Sequence, residues 1–113
     1  MNIATIQSYI HSIPLEHRWL QSHGCVNVDQ LRNDVFRVLV ACGIPPESAV
    51  LYADQVVFDT NDLVADLQGQ DIFHTGFTTT PYLIYAEIER FLRRHVTTKV
   101  CRVVQMHAQS VAV

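Results

Sequence analysis

No lysine or arginine occurs between residues 38 and 89. The stretch VLVACGIPPESAVLYADQVV, residues 38–57, has a helix-turn-helix outline with glycine in the turn. Its second helix would be the one to enter a DNA groove, yet it offers Glu47, Asp54 and no cation for phosphate. Nucleic acid is therefore not the expected partner. Charge is scarce throughout, at 17% of 113 residues, where soluble proteins carry about a quarter. With 49% of the chain hydrophobic, disorder is excluded, and so little polar surface leaves apolar surface for an interface.

Other absences narrow the chemistry. The glycines stand apart at 24, 43, 69 and 76, so no glycine-rich loop cradles a phosphate. No paired cysteine or histidine spacing of the CxxC or HxxxH kind occurs, and structural zinc sites need such pairs twice over. His23 and Cys25 are half a zinc site at most, so no metal or other cofactor is expected. The longest uncharged apolar run, VLVACGI, is far too short for a bilayer. The first twenty residues lack the basic start and apolar core of an export signal. Cys25, Cys42 and Cys101 cannot all pair, so free thiols in the cytoplasm are expected.

What is present is charge in blocks. Residues 38–89 hold Glu47, Asp54, Asp59, Asp62, Asp66, Asp71, Glu87 and Glu89, whereas residues 90–113 hold Arg90, Arg93, Arg94, Lys99 and Arg102 and no acid. Two opposite poles meet either within one chain or between two chains.

Apolar spacing reads as helix nearly everywhere. Ile3, Ile6, Ile10 and Ile13 recur at helical intervals. Pro14 ends that segment and allows a second short helix with Leu15, Trp19 and Leu20 inward, stopped at Gly24. Val28, Leu31, Val35, Val38, Leu39 and Cys42 form the clearest stripe. Asn27 and Gln30 are spaced as a capping box, with Val26 and Leu31 as its hydrophobic staple. Gly43 then supplies the left-handed stop, and Ile44 is placed to fold onto Leu39. Pro45 and Pro46 bar continuation, and Glu47 opens the next helix.

That helix, about 46–58, is apolar nearly all round, which places it at the centre of the fold or in a subunit contact. A break is expected near Thr60–Asn61, followed by a short helix ending at Gly69. Residues 72–80 read as a loop pinned by Phe73 and Phe77. From Pro81 a helix follows with Ile84, Ile88, Phe91 and His95 on one face, and Glu89 and Arg93 spaced as an ion pair. From about residue 99, KVCRVV fits either a helix or a strand. The expected fold is mainly α, a compact single domain over residues 1–113 with five to six short helices. The alternative is α+β with that C-terminal strand.

Two partial motifs fail at their ligands. DTNDLVADLQGQ opens like a calcium loop, but Leu63, Val64 and Gln70 occupy positions that need an oxygen ligand, a glycine and a glutamate. His74, in FHTGF beside Asp71 and Thr75, has the loop setting of a catalytic group. No nucleophile, base and orienting acid are recognisably assembled around it.

Residues 31–57, LRNDVFRVLVACGIPPESAVLYADQVV, with ADLQGQDIFHTG at 65–76, resemble the helical N-terminal portion of the malate/L-lactate dehydrogenase family unrelated to the Rossmann enzymes. Under that resemblance His74 matches the family's catalytic histidine. Residues 58–64 read as inserted, FHTG stands for SHG, and the family's cofactor-binding remainder has no counterpart here, so no function is carried over.

The expected function is non-enzymatic: a small cytoplasmic interaction or regulatory protein that self-associates as a homodimer or larger homo-oligomer. Tyr52, Val56 and Phe58 are its expected apolar contact, and Arg90, Arg93 and Arg94 its charged one. The alternative is a small enzyme or ligand binder with a pocket at His74, Asp71, Tyr82 and Trp19.

Overall fold

A computed structural model describes residues 3–14, 17, 19–20, 26–69 and 81–111; of 67–69, 81–88 and 110–111 it describes the backbone alone. Four helices make up these residues: α1 (Ile3–His11), α2 (Val28–Ala41), α3 (Pro46–Gly69) and α4 (Pro81–Val111). The class is mainly α, and no strand occurs among the described residues. The residues weighed as a C-terminal strand are helical to Val111, because Val96, Val100 and Val103 are all buried. Packing on a helical stripe outweighs their weak intrinsic preference for strand.

Among the described residues the helices number four rather than five or six, for two physical reasons. Among the described residues after Pro14 there is no second short helix. Trp19 N–H and Leu20 N–H donate to the Glu89 carboxylate at 2.8 and 3.0 Å instead of to carbonyls one turn back. Leu20 instead bridges to Val26 in antiparallel fashion. The second reason lies at Thr60, where α3 passes without a break. Its hydroxyl donates to the Val56 carbonyl at 2.8 Å, and the side chain is fully buried on the stripe of Ala49, Ala53, Val56 and Val64. A threonine satisfied inside its own helix does not end it.

The turn from α2 to α3 follows the sequence closely. Asn27 Oδ1 accepts from Gln30 N–H at 3.3 Å. At the other end Gly43 has φ of +91°. Gly43 N–H reaches the Val40 carbonyl at 3.0 Å and Ile44 N–H the Leu39 carbonyl at 3.1 Å, the bond pair of a Schellman termination. Ile44 and Leu39 are both buried, so the turn also seals the core. The reciprocal half of the capping box is replaced: Asn27 N–H donates to the Trp19 carbonyl at 2.8 Å, and the Gln30 amide turns to Asp34.

α2 and α4 each pack against the other three helices, while α1 and α3 do not touch. The core joins Ile6 and Ile10 of α1, Leu31, Val35, Val38 and Leu39 of α2, the inner stripe of α3, and Leu92, Val96 and Val100 of α4. Each large side chain so buried contributes about 1.5–3 kcal/mol. The buried face of α4 is rotated from the one read in the sequence: Leu92 is fully buried and Phe91 is 40% exposed. No helix among the described residues is long and apolar enough to cross a membrane.

Candidate functional site: an arginine groove and an acidic ridge

Glu89 and Arg93 are one turn apart on α4 and do not pair with each other. Both hold the segment that follows α1, and they divide its backbone by polarity. Glu89 takes the N–H groups of Trp19 and Leu20. The Arg93 guanidinium donates to the carbonyls of Ile10, Ile13, Pro14 and His17 at 3.3–3.5 Å. It also lies 5.0 Å from the centroid of the Trp19 ring, a cation–π contact. The Ile10 carbonyl belongs to the last turn of α1, where the helix dipole favours a cation. Arg93 is therefore a fixed charge committed to its own chain.

Beside it a groove of about 670 Å³ opens between α1 and α4. Gln7 and His11 line one wall; Arg90, Arg94, Thr97 and Thr98 line the other, with Ile10 and Arg93 completing it. No carboxylate is among these side chains. Arg90 and Arg94 are exposed and have no hydrogen-bond or ion-pair partner among the described residues. The threonine protons are already used, with Thr97 donating to the Arg93 carbonyl at 2.7 Å and Thr98 to that of Arg94 at 3.1 Å. The groove thus offers two free guanidinium forks, an amide and an imidazole around a region of net positive charge.

The opposite character appears on α3. Val50, Leu51 and Phe58 are 46%, 70% and 63% exposed. Glu47, Asp62 and Asp66 stand exposed around them. The neighbouring Asp54 is taken by Arg32 of α2 at 2.7 Å. Val40 of α2 is exposed as well. The result is an apolar ridge with an acidic rim.

The apolar set expected from sequence is divided by this geometry. From Tyr52 to Phe58 the helix turns by about 240°, so the two side chains leave on different sides. Tyr52 packs edge-on to His107 of α4, with ring centroids 6.4 Å apart. Val56 is 1% exposed and belongs to the core; Phe58 alone of the three is strongly exposed. Leu51 and Val50 belong to the exposed set, and their spacing from Phe58 of seven and eight residues was the signal for it. Of the charged set, Arg90 and Arg94 line the groove as free cations and Arg93 is held internally.

A polar network on the other side of the connecting segment went unread in the sequence. Asp34, 4% exposed, accepts from Trp19 Nε1–H at 2.8 Å, His17 Nδ1–H at 3.1 Å and Gln30 Nε2–H at 3.2 Å. A cavity of about 240 Å³ adjoins it, lined in part by Ser12, His17, Asp34 and Arg37. Ser12 Oγ donates to the Tyr9 carbonyl at 2.7 Å rather than to His17, so among the described residues no nucleophile is hydrogen-bonded to this histidine. The network anchors the connecting segment to α2.

The remaining candidates divide by position. His74, Asp71, His23 and Cys25 lie outside the described residues, as does the side chain of Tyr82. Trp19, expected at the His74 pocket, is fully buried. Cys42 and Cys101 are free thiols. Burial raises the pKa of both, and the Cys101 thiolate adds to the rise at Cys42. Raised thiols are poor nucleophiles and metal ligands. Among the described residues no three potential metal-binding side chains stand together.

No protein-family model matches the chain, and neither a curated protein nor a solved structure shows significant similarity to it. The dehydrogenase-like stretch carries no family assignment, and residues 58–64, read there as an insertion, continue α3 without interruption.

Proposed function

We propose that this is a small cytosolic interaction protein that self-associates by setting the acidic, apolar ridge of α3 into the arginine groove of a second copy. The observation that carries this reading is the exposure of Leu51 and Phe58 within a rim of exposed acids, on a chain whose Arg90 and Arg94, free among the described residues, line a groove elsewhere. The second copy is the favoured occupant because the exposed acids of the ridge and the arginines of the groove are of opposite charge. Leu51 and Phe58 meet the exposed Ile3 and Phe91 on the same two helices that form the groove. Glu47 and Asp62 meet Arg90 and Arg94. Ridge and groove are different surfaces, so copies join either reciprocally about a two-fold axis or head to tail.

Light scattering coupled to size exclusion tests this at increasing protein concentration and two salt concentrations. The mass at low salt rises above the 12.9 kDa of one chain. Raising salt from 0.05 to 0.5 M weakens association by about tenfold, since screening acts on exposed charges. A single-chain mass throughout overturns the reading.

A further inference from the structure

We propose that the α1–α4 groove is also a binding site for a small molecule bearing a phosphate monoester. This inference does not depend on self-association. Its volume of about 670 Å³ lies in the range of small-ligand sites, roughly 300–1,000 Å³. Arg90 and Arg94 are one helical turn apart, which puts their Cβ atoms about 5–6 Å from each other, close enough for both forks to converge on one tetrahedral anion. A planar guanidinium matches phosphate oxygens two at a time.

Charge favours a dianion over a single carboxylate. Arg90 and Arg94 are free among the described residues, and Arg93 adds a third cation that cannot swing away because backbone carbonyls hold it. Its Nε–H is nevertheless buried without an acceptor among the described residues. Among the described residues no acid lines the groove to offset these charges. Gln7 and His11 supply further polar contacts from the facing helix. Thr97 and Thr98 have given their protons to backbone carbonyls, so their oxygens are left as acceptors for hydroxyl groups on the ligand. A phosphate bound here competes with the carboxylates of an incoming α3 ridge.

Titration calorimetry with phenyl phosphate and with inorganic phosphate at constant ionic strength tests the site. The protein is the full chain carrying Phe58→Asp, which keeps the groove open whether or not copies associate. Saturable binding of both probes is expected, with the ester at least as tight as the free ion. Arg90→Ala and Arg94→Ala each weaken it about tenfold and Arg94→Lys about threefold. Arg102→Ala, an exposed position on α4 outside the groove, changes it less than twofold. Circular dichroism confirms that each variant is folded. Absence of saturable binding, or equal loss in Arg102→Ala, overturns the site. Tight binding of a polyglutamate peptide with none of phosphate also overturns it, and assigns the groove to acidic protein segments alone. Failure here leaves the association reading intact, because wild-type association is measured separately.

Discussion

The ridge of α3 and the groove between α1 and α4 lie on one small molecule, yet they treat their charges in opposite ways. On the ridge the acids surround exposed apolar side chains and face water. In the groove the cations line a concavity, and one of them, Arg93, is built into the fold. Acidic and basic blocks adjacent in sequence would be expected to neutralise each other within the chain. In the described part of the molecule they meet only sparingly, as in the Lys99–Asp59 pair at 3.6 Å. Helix geometry explains the shortfall. Thr60 and Val64 turn inward on α3 and carry Asp62 outward between them. Leu92, Val96 and Val100 do the same for Arg90 and Arg94 on α4. Burial sets each helix's rotation, and the charges fall where that rotation leaves them.

The sharpest way to break the comparison is to place the same charge on either side of α3. Val56→Asp puts an unpaired carboxylate in a site 1% exposed and costs about 3–5 kcal/mol, enough to abolish the cooperative thermal transition. Phe58→Asp, at a site 63% exposed, changes stability by less than about 0.5 kcal/mol and removes self-association. Equal losses of stability in the two variants would contradict the assignment of faces.

A charge exchange has a smaller effect and isolates the electrostatic part. Arg94→Glu weakens association by about tenfold, and adding Asp62→Arg to the same chain restores most of it. Sedimentation equilibrium reads both. If Asp62→Arg weakens association further, the acids of the ridge do not meet the arginines of the groove.

The smallest effect concerns the seam where the poles do meet. His95 has its pKa lowered below the ordinary 6.5, first by burial and then by Lys99, with Asp59 acting in the opposite sense. Its Nε2 is buried without a partner among the described residues. The unfolded chain therefore binds this proton at a higher pH than the folded chain does. Stability from this group is present above about pH 6.5 and declines as pH falls from there through the lowered folded value. His95→Gln should flatten the dependence of the melting temperature on pH over that window. An unchanged slope would show that the drop originates elsewhere.

Parts of the fold were legible in sequence and parts were not, for definable reasons. α2 was readable because its signals are local: Asn27 at one end, Gly43 and Ile44 at the other, and one continuous stripe between. The unbroken course of α3 was not, since Thr60 and Asn61 read as helix breakers. Only the tertiary neighbours reveal that Thr60 is buried with its hydroxyl bonded one turn back. Glu89 and Arg93 have ion-pair spacing, yet they bind backbone some 70 to 83 residues away, a demand that no local pattern encodes. The candidate site was half visible. Phe58, Arg90 and Arg94 were expected at the surface and are exposed, but an all-round apolar helix gives no phase. Leu51 on the outside and Val56 on the inside therefore could not be told apart.

The most direct measurement mixes two variants, one with a damaged ridge (Phe58→Asp) and one with a damaged groove (Arg94→Glu). The first retains its groove and the second its ridge, so only the mixture contains an intact contact. At a protein concentration below the weakened dissociation constant of Arg94→Glu, light scattering is expected to give about one chain mass for each variant alone and a discrete one-to-one complex, near twice 12.9 kDa, for the mixture. A mixture that scatters as the average of its separate components would contradict the pairing of ridge with groove.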